Sequence, residues 1–533
     1  MAGDAGLFIR RSTGLVRDIG LAPALGVNAG AKSVGGAFAF FGLLVLLFPG
    51  VNVTWMLVLG GVLIAPLAWV YSQLAIAMPR SGGDYVFLSR IFHPVAGVSA
   101  GTMHLFIWWS GLAALGSFWA RAFLPFTFGA LASVFHAAFL ATLATDVATR
   151  DGTFIATTIV VALAALVTLG GTKLAARVAF WSVIAGVASI FLVLVELFVH
   201  SMGDLQHALD HASGVAATSA RVVGQASAHG WRPGHTVSGT LAALPYAFLI
   251  FAGYWYTAFV AGEVKHPART QLRSMLVTIA ASVVLLAAAW IGVQTAAGDR
   301  FAEAAPFLAG HAPAAYAKLT PTGVSPQGLA VLLADPVMKV VIAIGFLGWL
   351  LPVPIVFLMG MSRALFALSF DRVLPRSVAS VTSRTHTPAL ALLINLAISE
   401  LFLALIVFDQ GFAQAFRNAN LVALALSTAA CLAVIALPFR LRGLYAGSAK
   451  VIRGSWLGLP PIVIVACIGA AFCGAGGYLA LTKGQYSGGY TTVSVVSLAV
   501  MLLAGPVLYA GSRYLRRRQG IDIRLAMREL PPE

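Results

Sequence analysis

A glycine-rich run that contains one lysine stands out near the start of the chain. It reads Gly26-Val-Asn-Ala-Gly-Ala-Lys-Ser-Val-Gly-Gly36, and Lys32 is the only charged residue between Asp18 and Arg80. Glycine weakens a helix, so the run predicts a local break. Backbone N–H and C=O groups freed in an apolar environment are costly unless a polar ligand or ion meets them. The run therefore predicts a polar binding point that Lys32 can reach.

A second glycine interrupts an apolar run later in the chain, in Phe248-Leu-Ile-Phe-Ala-Gly-Tyr254. At a helix break the following half presents its N-terminus, which favours a carboxylate, and the preceding half presents its C-terminus, which favours an ammonium group. Two such breaks facing each other suit a small zwitterion. The alternative is that these glycines only allow close packing between helices.

Three ionisable residues lie within long apolar stretches, where a charge is costly. Lys32 has four roles open to it: binding a substrate carboxylate, replacing a metal cation, exchanging a proton during a transport cycle, or a structural role near a helix boundary. His104 is a candidate for proton coupling because imidazole titrates near neutral pH, with a hydrogen-bonded structural histidine as the alternative. Glu400 is the third coupling candidate, again with a structural alternative.

The elements that must position these residues are membrane-spanning helices. The 533 residues are 59% hydrophobic and only 10% charged, whereas a soluble domain has about 25% charged residues. Apolar stretches of about 20 residues recur, and this is the length that crosses a bilayer. We predict an all-α membrane protein with about 12 transmembrane helices. The predicted spans are residues 18–48, 53–78, 94–125, 153–169, 178–200, 238–262, 274–297, 336–370, 388–408, 416–437, 456–481 and 491–509.

The positions of lysine and arginine predict the orientation of these spans. Basic residues concentrate in alternate connections, as cytoplasmic segments do. The net charge of +16 therefore reports topology and a leaflet-facing tail, and it predicts contact with the lipid bilayer rather than with nucleic acid. We expect a multi-pass protein of the cell (plasma) membrane with both termini in the cytoplasm.

The two glycine breaks lie five spans apart, as in transporters built from an inverted repeat. The predicted organisation is a cytoplasmic segment (1–17), a first repeat (18–200), an extracellular loop (201–237), a second repeat (238–437), two further helices (438–511) and a basic cytoplasmic tail (512–533).

Other chemistries have little support in the sequence. The three cysteines, Cys431, Cys467 and Cys473, lie in apolar segments and do not form a disulfide or metal pattern. Histidines in the 201–237 loop match no ligand spacing, so we predict no metal site and no cofactor. An enzyme would need paired carboxylates or an activated nucleophile at membrane depth, and neither motif is present; we predict that the chain is not an enzyme.

Four stretches resemble the amino acid–polyamine–organocation superfamily of permeases. These are Met78-Pro-Arg-Ser-Gly-Gly-Asp-Tyr85, Gly171-Thr-Lys-Leu-Ala-Ala-Arg177, Phe251-Ala-Gly-Tyr254 followed by Glu263-Val-Lys-His-Pro267, and Ser362-Arg-Ala-Leu-Phe-Ala-Leu-Ser-Phe-Asp-Arg-Val-Leu-Pro375 followed by Thr387-Pro388. The resemblance extends over nearly the whole chain because the stretches occur in the family's order.

This resemblance implies a five-plus-five inverted repeat, the leucine-transporter-like fold, with two more helices at the end. It implies a substrate site between the first, third, sixth and eighth helices. Mapped onto this chain, the implied substrate-binding residues are Asn28, Ala29, Gly30, Ala31, Lys32, Trp108, Trp109, Phe251, Ala252, Gly253, Tyr254, Gly348 and Trp349. The chain departs from the family in its fifth helix, where some proton-coupled members carry a lysine near the position of Ala185 or Gly186.

The predicted function is a secondary active transporter for amino acids, with neutral ones favoured by the aromatic and small residues. The coupling ion is H⁺ or Na⁺, or the protein works by exchange. Transport of polyamines or other organic amines is the alternative. It is less favoured because an intramembrane lysine repels cationic substrates. A membrane sensor that has the fold but does not transport is a second alternative.

Overall fold

The computed structural model describes residues 14–251, 253–319, 325–409, 411–412, 417–448, 458–487 and 490–527. Within these residues the regular structure is helical, accompanied by two isolated β-bridges. Ten of the described helices are long and apolar enough to cross a bilayer, and two further crossings, the first and the sixth, are interrupted. The predicted all-α membrane protein is confirmed.

The first five membrane crossings consist of one interrupted helix and four continuous helices. Helix 1 is split into helix 1a (Leu21–Gly30) and helix 1b (Ala39–Leu47), with a short 3₁₀ turn at Gly36–Phe38 between them. The others are helix 2 (Val53–Ala77), helix 3 (Pro94–Phe135), helix 4 (Arg150–Leu169) and helix 5 (Thr172–Val199). Two short helices, Asp84–Ile91 and Ala138–Ala148, lie in the connections before and after helix 3.

The remaining crossings follow the same pattern, with helix 6 interrupted. Helix 6a comprises Val237–Ala243 and Tyr246–Phe251, and beyond the break only 3₁₀ turns at Tyr256–Ala258 and Ala261–Glu263 follow. The later crossings are helix 7 (Pro267–Ala297), helix 8 (Pro336–Phe346 and Pro352–Phe370), helix 9 (Ala389–Phe408), helix 10 (Arg417–Arg440), helix 11 (Pro461–Thr482) and helix 12 (Thr492–Arg518).

Several elements extend beyond the spans expected from hydropathy. Helix 3 continues ten residues past Pro125, and helix 12 continues to Arg518. The loop expected at 201–237 contains two amphipathic helices, Met202–Ser213 and Thr218–Ala228. Hydropathy detects only the part of a helix that lies in lipid, so it misses helical turns that project into water.

The two ends of the bundle are distinguished by how helices 1 and 6 are tied together. At one end, Ile19 N donates to Glu263 O (2.9 Å) and Lys265 N donates to Ile19 O (2.8 Å). We call this end, where helix 1a begins and helix 6 finishes, the basic side. At the other end, which we call the far side, Thr236 N donates to Gly50 O (2.7 Å).

Candidate functional site

The break in helix 1 follows directly from its glycine-rich run. Helix 1a ends at Gly30, and Ser33 takes the left-handed backbone conformation (φ 57°) before the chain turns into helix 1b. Gly30 is required by packing as well, because a Cβ at this position would lie 2.9 Å from the Cβ of Pro352 in helix 8. The interruption predicted for the first crossing is present.

The break in helix 6 faces the break in helix 1. Gly253 has φ +104°, a conformation that L residues rarely adopt, and a Cβ built there would lie 3.5 Å from Cγ and Cε of Lys32. The side chain of Lys32 therefore crosses the opened backbone of the sixth crossing. The second predicted interruption is present too.

Asn28 connects the two interrupted crossings and helix 7. Its Oδ1 accepts from the backbone N–H of Thr257 (2.9 Å), and its Nδ2 donates to Ser274 Oγ (3.0 Å). Since Asn28 is fully buried, these bonds satisfy one backbone N–H that the unwound segment leaves without a helical partner. Asn28 thus holds the breaks together.

A cavity of about 410 Å³ lies between the two breaks and extends toward the far side. Lys32 and Gly253 line its deep part, and Leu47, Tyr246 and Tyr486 line the end nearest the far side. The rings of Tyr246 and Tyr486 have centroids 6.1 Å apart, so aromatic side chains border this end. The dimensions suit a ligand of amino-acid size.

One wall of the cavity is aromatic. Tyr256 stacks on Phe357 with an interplanar angle of 5° and centroids 5.5 Å apart. Trp108 of helix 3 lies across both Tyr256 (5.4 Å) and Phe259 (4.9 Å). The hydroxyl of Tyr256 is buried and has no hydrogen-bond partner among the described residues. The wall therefore offers apolar surface and one free hydroxyl.

Lys32 is the charged residue among those that line the cavity. Within the described part of the chain no carboxylate forms an ion pair with its ammonium group. The opened backbone of the first crossing lies beside it, since Ala31 also lines the cavity. Together they present a place for a carboxylate.

A polar cluster lies at the floor of the cavity. Tyr71 of helix 2 and His104 of helix 3 both line the cavity, and both face Asp84. Tyr71 OH donates to Asp84 Oδ2 (3.1 Å), and His104 Nδ1 lies 3.3 Å from the same oxygen. Asp84 is fully buried.

Two buried ion pairs lie between the cavity and the basic side. Arg363 of helix 8 donates through Nε to Glu263 Oε1 (2.8 Å) and through Nη2 to Glu263 Oε2 (3.0 Å), and both residues are about fully buried. Thr172, at the start of helix 5, bonds to both of them. Arg90 similarly donates to Asp371 Oδ2 (2.6 Å), which also accepts from Tyr85 OH. These pairs join the short helix Asp84–Ile91, helix 5, the sixth crossing and helix 8, and they close the basic side.

The residues implied by the family resemblance separate into two groups. Those that line the cavity are Ala31, Lys32, Trp108 and Gly253. The others that the structure describes lie in the surrounding packing: Asn28, Ala29, Gly30, Trp109, Phe251, Tyr254, Gly348 and Trp349. Ala252 is outside the described residues.

Particular contacts explain why the second group lies in the packing. Trp109 turns away and donates through Nε1 to Asn395 Oδ1 in helix 9 (2.8 Å). A Cβ at Gly348 would lie 2.6 Å from Ser182 O in helix 5, and the ring of Trp349 packs against Gly35 and Gly186. A side chain at Gly186 would meet that ring at 2.4 Å, so the position near which some family members carry a lysine is filled by Trp349 here.

The two other coupling candidates differ in their surroundings. His104 lines the cavity and faces Asp84. Glu400 in helix 9 accepts from Thr158 Oγ1 in helix 4 (2.8 Å) and is absent from the cavity lining.

Sequence reasoning missed Asp84, Tyr71, Tyr256 and Phe357. Asp84 lies between the predicted spans 53–78 and 94–125, yet this segment folds back into the bundle. Gly83 makes this approach possible, since its φ is +54° and a Cβ there would lie 1.9 Å from the ring of Phe259. The signal available in the sequence was an aspartate that directly follows two adjacent glycines.

Comparisons with known proteins agree with this architecture. The model of the amino acid permease family matches residues 27–505. Uncharacterized transporters of Mycobacterium bovis and Mycobacterium tuberculosis are each 29% identical to the chain over 318 residues. The aligned part covers 60% of this chain and spans 58% of the length of each of those relatives.

Proposed function

The chain belongs to the amino acid permease family, and from that premise we propose that it moves neutral amino acids across the membrane by alternating access. It is a transporter rather than an enzyme in this proposal. The substrate occupies the cavity between the breaks in helices 1 and 6. The single observation that carries the proposal is the ammonium of Lys32, unpaired by any described carboxylate, in a cavity whose wall is aromatic.

The chemistry of the cavity suits the two ends of an amino acid. The carboxylate of the substrate binds the ammonium of Lys32, and the substrate's own ammonium faces the C-terminal ends of helices 1a and 6a. The aromatic wall takes an apolar side chain, with the hydroxyl of Tyr256 as an additional donor. A polyamine lacks the carboxylate and would place a second cation near Lys32, so amine transport is the weaker candidate.

The ion pairs at the basic side support alternating access. The cavity extends toward the far side while Glu263–Arg363 and Asp371–Arg90 close the other end. Opening the basic side requires these pairs to separate, and closing the far side requires Tyr246 and Tyr486 to cover the cavity. We propose a plasma-membrane location in which the basic side faces the cytoplasm, as the positive-inside rule favours.

Uptake into proteoliposomes tests this proposal. The purified full-length protein is reconstituted and offered radiolabelled leucine, phenylalanine, glutamate, arginine and putrescine, with imposed proton or sodium gradients or with unlabelled substrate inside. We expect leucine and phenylalanine to enter and to be displaced by each other, but not by their decarboxylated amines. Uptake of putrescine in place of amino acids would support the amine alternative. Binding without any uptake or exchange would support a sensor.

A further inference from the structure

Asp84 is a buried carboxylate whose hydrogen bonding is incomplete. Its Oδ2 accepts from Tyr71 OH (3.1 Å), but its Oδ1 is buried and has no hydrogen-bond partner among the described residues. A buried carboxylate normally has a cation or several donors around it, because an unmet charge in an apolar interior is strongly disfavoured. Oδ1 of Asp84 therefore lacks a hydrogen-bond donor or a cation within the described part of the chain.

The cations nearest in the fold are already engaged. Arg90, on the same short helix as Asp84, pairs with Asp371, and Arg363 pairs with Glu263. The titratable groups that do face Asp84 come from three packed helices: Tyr71 of helix 2, His104 of helix 3 and Cys431 of helix 10. Ser427, also on helix 10, lines the cavity, as does Lys32.

One ring nitrogen of His104 also lacks a hydrogen-bond partner in the part of the chain that the structure describes. Its Nδ1 is buried and lies 3.3 Å from Asp84 Oδ2, but the two atoms are not aligned as a hydrogen bond, and Nδ1 has no other partner among the described residues. The ring of His104 is fixed between Trp108 (centroids 5.0 Å) and Phe259 (4.8 Å). A carboxylate and an imidazole are thus held face to face, and each has an unsatisfied atom.

The position of the pair connects it to transport. Tyr71 and His104 form part of the cavity floor, whereas Asp84 lies behind them, in the connection between helix 2 and helix 3 on the basic side. Trp255 and Phe259 of the sixth crossing pack on Tyr71 (5.2 and 6.1 Å). Movement of the unwound part of the sixth crossing during opening would therefore change how Asp84 and His104 are exposed.

We propose that Asp84 and His104 together form the proton-binding site that couples transport by this protein to a proton gradient. The inference rests on the proposed function, which leaves the coupling ion open. One proton enters from water in the cavity, is held by the carboxylate and the imidazole, and leaves as H⁺ toward the basic side after that side opens. With a zwitterionic substrate, each cycle carries one net positive charge.

The chemistry of the pair favours a proton over Na⁺. A sodium site is built from several oxygen ligands, whereas here one carboxylate faces an imidazole nitrogen and a phenol that already donates to it. An imidazole and a carboxylate in contact can share one proton, and the two groups then titrate as a pair. The lysine that some family members carry in helix 5 is absent, and Lys32 is assigned to the carboxylate of the substrate, which leaves this pair as the titratable groups at the cavity floor.

Infrared difference spectroscopy tests the site without requiring transport. The full-length protein in lipid is titrated with acid, and the C=O stretch of a protonated buried carboxyl is followed. We expect a titrating band in the wild type that is lost in Asp84→Asn, and its pH midpoint displaced by about one unit in His104→Gln because a neighbouring proton acceptor is gone. The matched controls are Glu196→Gln and His200→Gln, which alter another carboxylate–histidine pair (3.5 Å) at the end of helix 5 and away from the cavity.

Reconstituted protein then tests coupling, with labelled leucine as the probe. In Asp84→Asn we expect accumulation driven by a pH gradient to be lost while exchange of leucine for leucine continues. His104→Gln supplies the same test should Asp84→Asn fail to fold. A band and pH-driven accumulation that survive in both variants overturn the proposal, as does a loss of coupling in Glu400→Gln alone. If the wild type moves no substrate, the transport proposal fails while the infrared result still judges the proton site.

Discussion

At the scale of single residues, the cavity depends on a few polar groups placed in an apolar surrounding. Lys32 has no described ion-pair partner, and Asn28 uses both ends of its amide to bond the opened backbone and helix 7. These two residues are four positions apart in one glycine-rich run but do different work. Asn28 stabilises the break, whereas Lys32 is left free for a ligand.

Replacing Lys32 by methionine removes the charge but keeps an unbranched side chain. We expect Lys32→Met to weaken amino-acid binding about 10- to 100-fold, because a charge-assisted hydrogen bond contributes about 1.5–3 kcal/mol. Competition binding with leucine and with its decarboxylated amine measures the effect, and the variant should no longer prefer leucine. Lys339→Met in helix 8 is the control. Unchanged preference in Lys32→Met would remove this lysine from carboxylate binding.

At the scale of elements, the interruptions in helices 1 and 6 decide where the cavity forms. The first is produced by small residues at Gly30 and Ser33, and the second by the left-handed backbone at Gly253. Helix 8 contributes through Pro352 and Trp349, which fill the space opened beside helix 1. Neither broken crossing would stand alone in lipid, since each needs the other's polar groups.

A side chain at Gly253 should strain the sixth crossing. We expect Gly253→Ala to cost about 1–2 kcal/mol of stability, because the left-handed region is unfavourable for an L residue. The added methyl group itself would make only an ordinary contact with Lys32, at 3.5 Å. Thermal unfolding in detergent measures the loss of stability. Gly477→Ala is the control, since a Cβ at this position in helix 11 meets nothing within 4 Å. Equal stability of the two variants would contradict the role given to Gly253.

Between helix 5 and helix 6, Asp210 joins two short helices on the far side. Its Oδ1 accepts from Thr218 N (2.8 Å) and its Oδ2 from Ala217 N (3.0 Å). The bond from the backbone N–H of Thr218 is the chief reason that the pKa of Asp210 is lowered from 3.8 to about 2. A carboxyl group whose pKa is lower in the folded than in the unfolded protein stabilises the fold at pH values above its unfolded pKa. This contribution is lost as the pH falls through the folded pKa.

Acidification should therefore loosen this connection between pH 3.8 and about 2. Pepsin cleavage near residues 214–217 measures the loosening, and we expect its rate to rise through this window in the wild type beyond the enzyme's own pH dependence on a denatured peptide. Asp210→Asn should be cleaved faster from the start and show less of the change, whereas His207→Gln on the same helix should behave as the wild type. A pH response retained in Asp210→Asn would refute the assignment.

At the scale of the whole molecule, the basic side of the bundle is closed, whereas the cavity extends toward the far side. Buried ion pairs join the helices at the basic side, while the cavity continues toward the far side. Breaking a buried pair by removing one partner costs about 3–5 kcal/mol, because the remaining charge is uncompensated. Loss of the Glu263–Arg363 pair would therefore shift the balance between the two openings.

Cysteine accessibility measures that balance. In a variant without Cys431, Cys467 and Cys473, Ala423→Cys lines the cavity and should react with a membrane-impermeant thiol reagent added from the far side. We expect Glu263→Gln to slow this reaction and Asp522→Asn, which breaks an exposed pair with Arg524, to leave it unchanged. Faster labelling in Glu263→Gln would show that the pair does not keep the basic side closed.

The amino-acid sequence by itself determined the class of the protein and the places where its helices break. Length and scarcity of charge require membrane helices, and glycines in apolar runs require breaks, because both follow from the cost of polar groups in lipid. The sequence also singled out Lys32, because it is the only charged residue between Asp18 and Arg80 and a charge in lipid is costly.

Only the tertiary structure decided which side chains reach the cavity. Trp108 and Trp109 are neighbours in sequence, yet one lines the cavity and the other bonds to Asn395 in helix 9. Asp84 lies between two predicted spans, and packing of Gly83 against Phe259 brings it to face His104, twenty residues further along the chain. Hydropathy and spacing report the length of a helix and its polarity, whereas the direction of a side chain depends on which helices pack around it.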